Sequence, residues 1–205
     1  PRAIRDVYKR QVIDNKDSFT YNLINYFKMA TQETVNVIDV EDINIEELKE
    51  LKPKAIVISP GPGRPSDYPI LFKVMDDFYQ HIPILGVCLG FQMIYQYFGG
   101  TIIHRDRPIH GHTTLLRHNG EGVFKGLPDS FSVMLYHSLK ADESCVPNEL
   151  KVTAEGDDGV IMGLQHDKYP IYGLQYHPES ILSEQGQNQI QNFIDIVGEN
   201  SDYQI

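Results

Sequence analysis

The chain has 205 residues, of which 41% are hydrophobic and 22% charged, so it is long enough to bury a substantial core. Its formal net charge of −10 argues against general nucleic-acid binding, and no apolar run is long enough to cross a membrane. With no recognisable secretory signal and only Cys88 and Cys145, which make no disulfide framework, we expect a cytoplasmic protein.

The first eleven residues do not match the rest of the chain. Asp6-Val-Tyr-Lys-Arg-Gln11 resembles one reading frame of a transposon-end sequencing adapter, and it is polar where a first core strand should begin. We therefore predict that residues 1–11 are non-native, with a natural flexible N-terminus as the alternative. An unbroken native codon run through Arg10-Gln11 at the source locus would refute this prediction. We expect a single domain over residues 12–198 and a C-terminal tail over 199–205.

Strands and helices are predicted to alternate in the first half of the chain. The expected strands cover residues 12–13, 34–40, 54–59 and 84–87. The expected helices cover residues 19–29, capped by Asp17 or Ser18, then 45–51 after the Asn44-x-x-Glu47 capping-box variant, 68–80 and 91–98. This alternation indicates an α/β fold with a mainly parallel sheet.

The second half has shorter strand-like runs separated by turn signals such as Asn119-Gly120. They cover residues 101–103, 113–117, 131–135, 150–154, 160–165 and 171–176, and a final helix is expected over about 184–197. We therefore predict a central mixed, mainly parallel sheet flanked by helices, with additional antiparallel strands in the C-terminal half.

Cys88 lies between a predicted strand and a predicted helix, in the pattern Gly86-x-Cys88-x-Gly90. Flanking glycines permit the sharp turn of a nucleophile elbow, here with sulfur in place of the serine oxygen. A helix N-terminus lowers the pKa of a thiol and favours the thiolate. The alternative is a small buried cysteine at the end of a strand.

A stiff loop, Ser59-Pro-Gly-Pro-Gly-Arg-Pro65, follows the third predicted strand. It nearly matches a dinucleotide-binding fingerprint, but Ser66 replaces the last glycine and the prolines lack N–H donors. The remaining donors, on Gly61, Gly63 and Arg64, are placed to stabilise an oxyanion beside the next strand. The alternative is an ordinary turn.

His177 and Glu179 follow the last predicted strand. Residues two apart in an extended chain face the same side, so these side chains can converge on one site. A cysteine nucleophile needs a base, and the base needs a carboxylate to fix its tautomer. Cys88, His177 and Glu179 supply these roles, although a lone His-x-Glu pair is more often exposed to solvent without a function.

The remaining histidines do not predict a metal site. Their spacing fits no metal-binding pattern and the chain has no Cys-x-x-Cys, so we expect neither a metal nor a cofactor. These histidines are His104, His110, His112, His118 and His137. Cys145 is interpreted as structural or incidental.

Four ordered motifs closely resemble those of the class I, triad-type glutamine amidotransferases. They are Ser59-Pro-Gly-Pro-Gly63, Gly86-Val-Cys-Leu-Gly-x-Gln92, Tyr136-His-Ser-Leu139 and Tyr176-His-Pro-Glu-Ser180. Within that family, Asp14-Asn-x-Asp-Ser-Phe-Thr-Tyr-Asn22 is similar to the small subunits of anthranilate synthase and aminodeoxychorismate synthase. Ile181-Leu-Ser-Glu-Gln-Gly186 and His110-Gly-His-Thr-Thr114 favour the folate-branch enzyme, although many relatives carry lysine where His112 stands.

The resemblance implies a role for each matching residue. Cys88 would attack the side-chain amide of glutamine, and His177, oriented by Glu179, would transfer the protons. The oxyanion would be stabilised by the N–H groups of Gly61 and Leu89. The residues implied to bind glutamine are Gly61, Pro62, Gly63, Gln92, Ser138 and Leu139.

The resemblance also implies a partner. The ammonia would pass to a chorismate-binding large synthase subunit, because this chain shows no domain for chorismate. Two alternatives remain open: a free-standing γ-glutamyl hydrolase or peptidase, and a non-enzymatic scaffold that only binds a partner.

Overall fold

The computed structural model describes residues 9–14, 20–107, 111–136 and 138–201. The predicted strand–helix alternation is confirmed in the first half of the chain. Its elements are β1 (Lys9–Asp14), α1 (Thr20–Ala30), β2 (Thr34–Asp39), α2 (Ile45–Glu50), β3 (Pro53–Ile58), α3 (Pro69–Phe78), β4 (Ile84–Val87) and α4 (Leu89–Tyr97). The elements of the second half are β5 (Ile102–His104), β6 (His112–His118), β7 (Ser130–Leu135), β8 (Leu139–Ala141), β9 (Leu150–Gly156), β10 (Ile161–His166), β11 (Ile171–Leu174) and α5 (Gly186–Ser201).

The central sheet is mixed and nine-stranded, in the order β2-β1-β3-β4-β11-β10-β9-β6-β7. The five strands from β2 to β11 pair in parallel, and β10, β9, β6 and β7 extend the sheet by antiparallel pairing. The predicted α/β single-domain fold with a mixed sheet is therefore confirmed.

The observed strands differ from the predicted ones at β1 and β8. β1 begins at Lys9 rather than Val12 and pairs with both β2 and β3, because backbone pairing tolerates the polar residues before Val12. β8 was not among the predicted strands; it is a short strand that pairs with β5. The capping turn at Asp17 and Ser18 and residues 202–205 lie outside the described residues. That residues 1–11 are non-native stays a prediction.

Two apolar layers cover the two faces of the parallel strands. Alternation along β3 sends Ile56 and Ile58 to the layer formed with α3 and α4, and Val57 to the layer formed with α1 and α5. All three side chains are at most 1% exposed, so both layers exclude solvent from β3. This packing holds the parallel strands β3, β4 and β11 so that their carboxyl ends lie next to one another.

The antiparallel strands curl back toward the end of β11. Beyond β11, the Gln175 N–H donates to the carbonyl of Met162 in β10 at 2.9 Å, and the His177 N–H donates to the carbonyl of Met134 in β7 at 3.0 Å. Because β7 is the far edge strand, only a curled sheet brings it to this segment. The segment that carries His177 is thereby held between the two halves of the sheet.

Within the ranges given above, none of the helices combines the length and apolar character that crossing a membrane requires.

Candidate active site

Cys88 forms the turn between β4 and α4. Its backbone has φ 55° and ψ −98°, its side chain is buried, and its N–H donates to the Leu174 carbonyl at 2.7 Å. A Cβ on Gly86 would lie 2.4 Å from the Gly90 carbonyl oxygen, and one on Gly90 would lie 2.4 Å from the Ile58 oxygen. The two glycines therefore allow α4 to pack directly against the ends of β3 and β4, as the elbow pattern predicts.

The structure brings Cys88, His177 and Glu179 together. The His177 ring nitrogen Nδ1 is 2.6 Å from Glu179 Oε1, and both residues are 2% exposed. The His177 side chain is also hydrogen-bonded to Cys88. Burial opposes the charged imidazole, but the Cys88 sulfur and the Glu179 carboxylate together hold the pKa of His177 well above its usual value. This arrangement favours an imidazolium–thiolate pair.

Neighbouring groups fix the position of His177. Its ring meets the ring of Tyr136 edge to face, with centroids 5.3 Å apart. Its carbonyl accepts a hydrogen bond from Ser183 Oγ at 2.6 Å. The following Pro178 carbonyl packs on Gly186, where a Cβ would lie only 1.8 Å from the oxygen. These contacts restrict the movement of the His177 ring and of its backbone.

The predicted Pro-Gly loop follows β3 beside the Cys88 turn. The register of the parallel pair β3–β4 shows this proximity, because Ile58 at the end of β3 pairs with Gly86, two residues before Cys88. Gly61 is buried and the following Pro62 and Gly63 are exposed, while Tyr68 Oη donates to the Pro62 carbonyl at 2.7 Å. The loop therefore places the Gly61 backbone at the carboxyl ends of the parallel strands, where Cys88 also lies.

The other predicted binding residues lie on α4 and at the start of β8. Leu89 is the first residue of α4, where a backbone N–H has no partner within the helix. Gln92 is fully buried and its Nε2 donates to Gln175 Oε1 at 3.3 Å. Ser138 accepts the Arg105 N–H at its carbonyl at 2.7 Å, and Leu139 opens β8. His137 of the same motif lies outside the described residues.

Gln175 is a site residue to which the sequence interpretation gave no role. Its side-chain Nε2 lies 3.8 Å from Cys88 Sγ in hydrogen-bonding geometry, and its own exposure is 1%. A signal was available, because Gln175 stands two residues before His177 and residues two apart in an extended chain share a face, although the structure bends at residues 175–176 and turns at 178–179.

The histidines outside this site have other neighbours. His104 Nε2 is 2.7 Å from Arg64 Nη2, and the His118 ring stacks on Phe124. In the part of the chain that the structure describes, no three His, Cys, Asp or Glu side chains are grouped to hold a metal ion. His110 lies outside that part.

A family model and several relatives match this chain. The family described as Glutamine amidotransferase class-I matches residues 11–197. Bifunctional protein TrpGD of Thermotoga maritima is 47% identical over 186 residues, which cover 90% of this chain but only 32% of that protein. Anthranilate synthase component 2 of Cyanophora paradoxa is 45% identical, covering 89% of this chain and 96% of that one. Aminodeoxychorismate/anthranilate synthase component 2 of Bacillus subtilis is 41% identical, covering 90% and 94%.

A solved structure shows the same fold. It is described as a GMP synthase protein from Thermoplasma acidophilum, with a TM-score of 0.84 and 24% identity over 97% of this chain and 98% of that one. The family model extends over nearly all of the described chain, and two relatives align along almost their whole length. This chain therefore belongs to the class I glutamine amidotransferase family.

Proposed function

We propose that this chain is the glutaminase subunit of a chorismate-utilising synthase. It would hydrolyse L-glutamine to glutamate and deliver the ammonia to a chorismate-binding large subunit in the cytoplasm. The observation that carries the proposal is the buried, hydrogen-bonded series Cys88–His177–Glu179, with Glu179 2.6 Å from the imidazole. Nucleophile, base and orienting carboxylate are the groups that acyl transfer from an amide requires.

In the proposed reaction, the Cys88 thiolate attacks the side-chain amide carbon of glutamine. The N–H groups of Gly61 and Leu89 stabilise the oxyanion that forms. The His177 imidazolium then gives its proton to the leaving nitrogen, so that ammonia departs and a γ-glutamyl thioester remains. A water molecule, deprotonated by neutral His177, attacks the thioester; glutamate leaves, and the thiolate and imidazolium are restored.

The amino-acid end of glutamine would be bound by residues of the Pro-Gly loop, α4 and the segment that leads into β8. They are the backbone at Gly61, Pro62 and Gly63, the Gln92 side chain, and the backbone at Ser138 and Leu139. Gln92 Oε1 supports this assignment: among the described residues it is buried without a hydrogen-bond partner. A buried acceptor without a partner is costly, and a bound ammonium group would satisfy it.

Two features support a partner chain. Ile181 and Leu182, which follow the Glu179 segment, are 95% and 53% exposed, and large exposed apolar side chains are typical of interfaces. Relatives along the full length of this chain are named as second components of synthases.

The branch of metabolism is the point on which the sequence interpretation and the relatives differ. Ile181–Gly186 and His110–Thr114 favoured the folate branch, but the relatives support the tryptophan branch better, since anthranilate synthase is in the name of both full-length relatives given above. We therefore propose the large subunit of anthranilate synthase as the first partner to test, with the large chain of aminodeoxychorismate synthase second.

The test is product analysis with glutamine, chorismate and either large subunit from the same source. Anthranilate formed only with the first partner would support the tryptophan branch, aminodeoxychorismate formed only with the second would support the folate branch, and both products would indicate that the two synthases share this chain. Release of glutamate without amide transfer to either would contradict the proposal and favour a free-standing hydrolase.

The matched control is Cys88→Ala in the same complex. We expect this variant to abolish glutamine-dependent synthesis while synthesis from added ammonium salts continues, because the large subunit would accept ammonia directly. Unchanged glutamine use in Cys88→Ala would exclude the proposed nucleophile and leave the scaffold hypothesis.

A further inference from the structure

Two buried amides lead from the core to the sulfur of Cys88. Gln92 Nε2 donates to Gln175 Oε1 at 3.3 Å, and Gln175 Nε2 donates to Cys88 Sγ at 3.8 Å, within the range for a hydrogen bond to sulfur. Gln92 and Gln175 are 0% and 1% exposed, so water does not compete for these groups. An uncharged amide therefore lies against the nucleophile, in addition to His177.

The backbone holds both amides in place. The Gln175 N–H donates to the Met162 carbonyl at 2.9 Å, and the Gln92 N–H donates to the Cys88 carbonyl at 3.1 Å. The contact with Gln92 also fixes which end of the Gln175 amide faces the sulfur. Turning the Gln175 amide over would place two N–H donors against each other and direct its oxygen at a thiolate.

We propose that Gln175 is a positioning residue for the nucleophile, with its Nε2–H held toward Cys88 Sγ by the hydrogen bond between its Oε1 and Gln92. A donor to the charged form favours that form, so Gln175 stabilises the thiolate before attack. It stabilises the same thiolate again when sulfur leaves the thioester, because sulfur then recovers its charge. The inference rests on the proposed role of Cys88 but assigns a group that does not touch glutamine.

The test measures the thiolate directly, without glutamine or a partner chain. Cys145 is exposed, so all variants are made in a Cys145→Ser background, and Cys88 is alkylated with iodoacetamide across a range of pH. In Gln175→Met we expect the pH midpoint of alkylation to rise by about one unit, which is about a tenfold loss of thiolate below the midpoint. Thiolate absorbance near 240 nm should shift by the same amount.

Two further variants separate positioning from folding. Gln175→Glu keeps the size and the acceptor for Gln92 but removes the donor, so its midpoint should rise at least as far; it carries the test if Gln175→Met does not fold. Gln189→Met removes another buried amide, which accepts a hydrogen bond from Tyr176 Oη and donates one to the Gln185 carbonyl. This control should leave the midpoint unchanged.

An unchanged midpoint in a folded Gln175 variant, or an equal shift in Gln189→Met, would overturn the inference. Either result is distinguishable from failure of the proposed function, which is measured by nitrogen transfer. A wild-type complex that transfers nitrogen while Gln175→Met keeps the wild-type midpoint would refute only the role of Gln175.

Discussion

At the scale of single residues, the site depends on a backbone conformation at Cys88 that residues other than glycine rarely adopt. The positive φ of 55° persists because the Cys88 N–H is bonded to Leu174 and because Gly86 and Gly90 leave room for the turn. The glycine spacing made this turn predictable. The role of Gln175 was not predictable from spacing alone, because a buried amide pair between residues 92 and 175 depends on tertiary contacts.

The first prediction concerns Gly90→Ala. The new Cβ would lie 2.4 Å from the Ile58 carbonyl oxygen, so α4 must move away from β3. Overpacking of this kind costs about 1–3 kcal/mol, and a displacement of about 1 Å at the nucleophile reduces glutaminase activity about 100-fold. Urea denaturation and glutamate release measure the two effects.

The control for this prediction is Gly198→Ala in α5, where a Cβ would meet no heavy atom of the described residues within 4 Å beyond its chain neighbours and its own helix backbone. Alanine favours the helix, so this variant should be as stable as wild type or more stable by about 0.5–1 kcal/mol. Wild-type stability and activity in Gly90→Ala would refute the packing argument.

At the scale of elements, the buried strands were predicted best. β4 was predicted over its observed range because it is a short apolar run between turn signals, and β3 differed by one residue at each end. β8 was missed because three residues, Leu139–Ala141, are too few to show alternation. Its partner β5 supplies the pairing, which is information that no local window contains.

The second prediction concerns the turn between β10 and β11. His166 Nδ1 accepts the N–H groups of Lys168 and Tyr169, both at 3.0 Å. Burial lowers the pKa of His166, and the nearby carboxylates of Asp167 and Glu149 oppose this only in part. The folded state thus prefers the neutral ring, so this stabilisation is complete above the ordinary imidazole pKa of about 6.5 and is lost as the pH falls through the lowered value.

The variant His166→Asn tests the direction of this pH dependence of stability. The asparagine oxygen can accept the N–H two residues ahead and does not titrate, so the acid-induced fall in Tm below a pH of about 6.5 should be shallower than in wild type. Parallel Tm–pH curves for the two proteins would show that His166 does not contribute.

At the scale of the whole molecule, the α/β class followed from the alternation of strands and helices, whereas the curl of the sheet did not. The curl is visible in hydrogen bonds such as those of His177 to Met134 and Glu184 to Ser132, which join segments far apart in the sequence. Local propensity carries no information about such closures. The proximity of Cys88 and His177 has a different origin, the parallel pairing of β4 with β11, and that strand order is likewise not specified by local patterns.

The third prediction tests the layer formed with α1 and α5. Phe193 is fully buried, and its ring meets Phe27 at 6.3 Å and Tyr172 at 6.2 Å between centroids. Phe193→Ala should lower the free energy of unfolding by about 3–5 kcal/mol, since it leaves a cavity between both helices and the sheet. The chain has no tryptophan, so urea denaturation is followed by circular dichroism.

Tyr21→Ala, on the exposed face of α1, is the control for this prediction. Tyr21 is 73% exposed, and its removal should change stability by less than about 0.5 kcal/mol. Equal losses of unfolding free energy in Tyr21→Ala and Phe193→Ala would show that burial in this layer does not stabilise the fold.

The curled sheet also has a mechanical consequence. Cys88 lies between β4 and α4, in the interior of the sheet. The backbone N–H of His177, in contrast, donates to the carbonyl of Met134 in β7, which is an edge strand. The base is therefore held from two sides, by β11, which pairs with β4, and by β7. A displacement of β7 would act on the backbone of His177 directly and on the Cys88 turn only through the intervening strands, so the outer antiparallel strands are mechanically coupled to the base of the site.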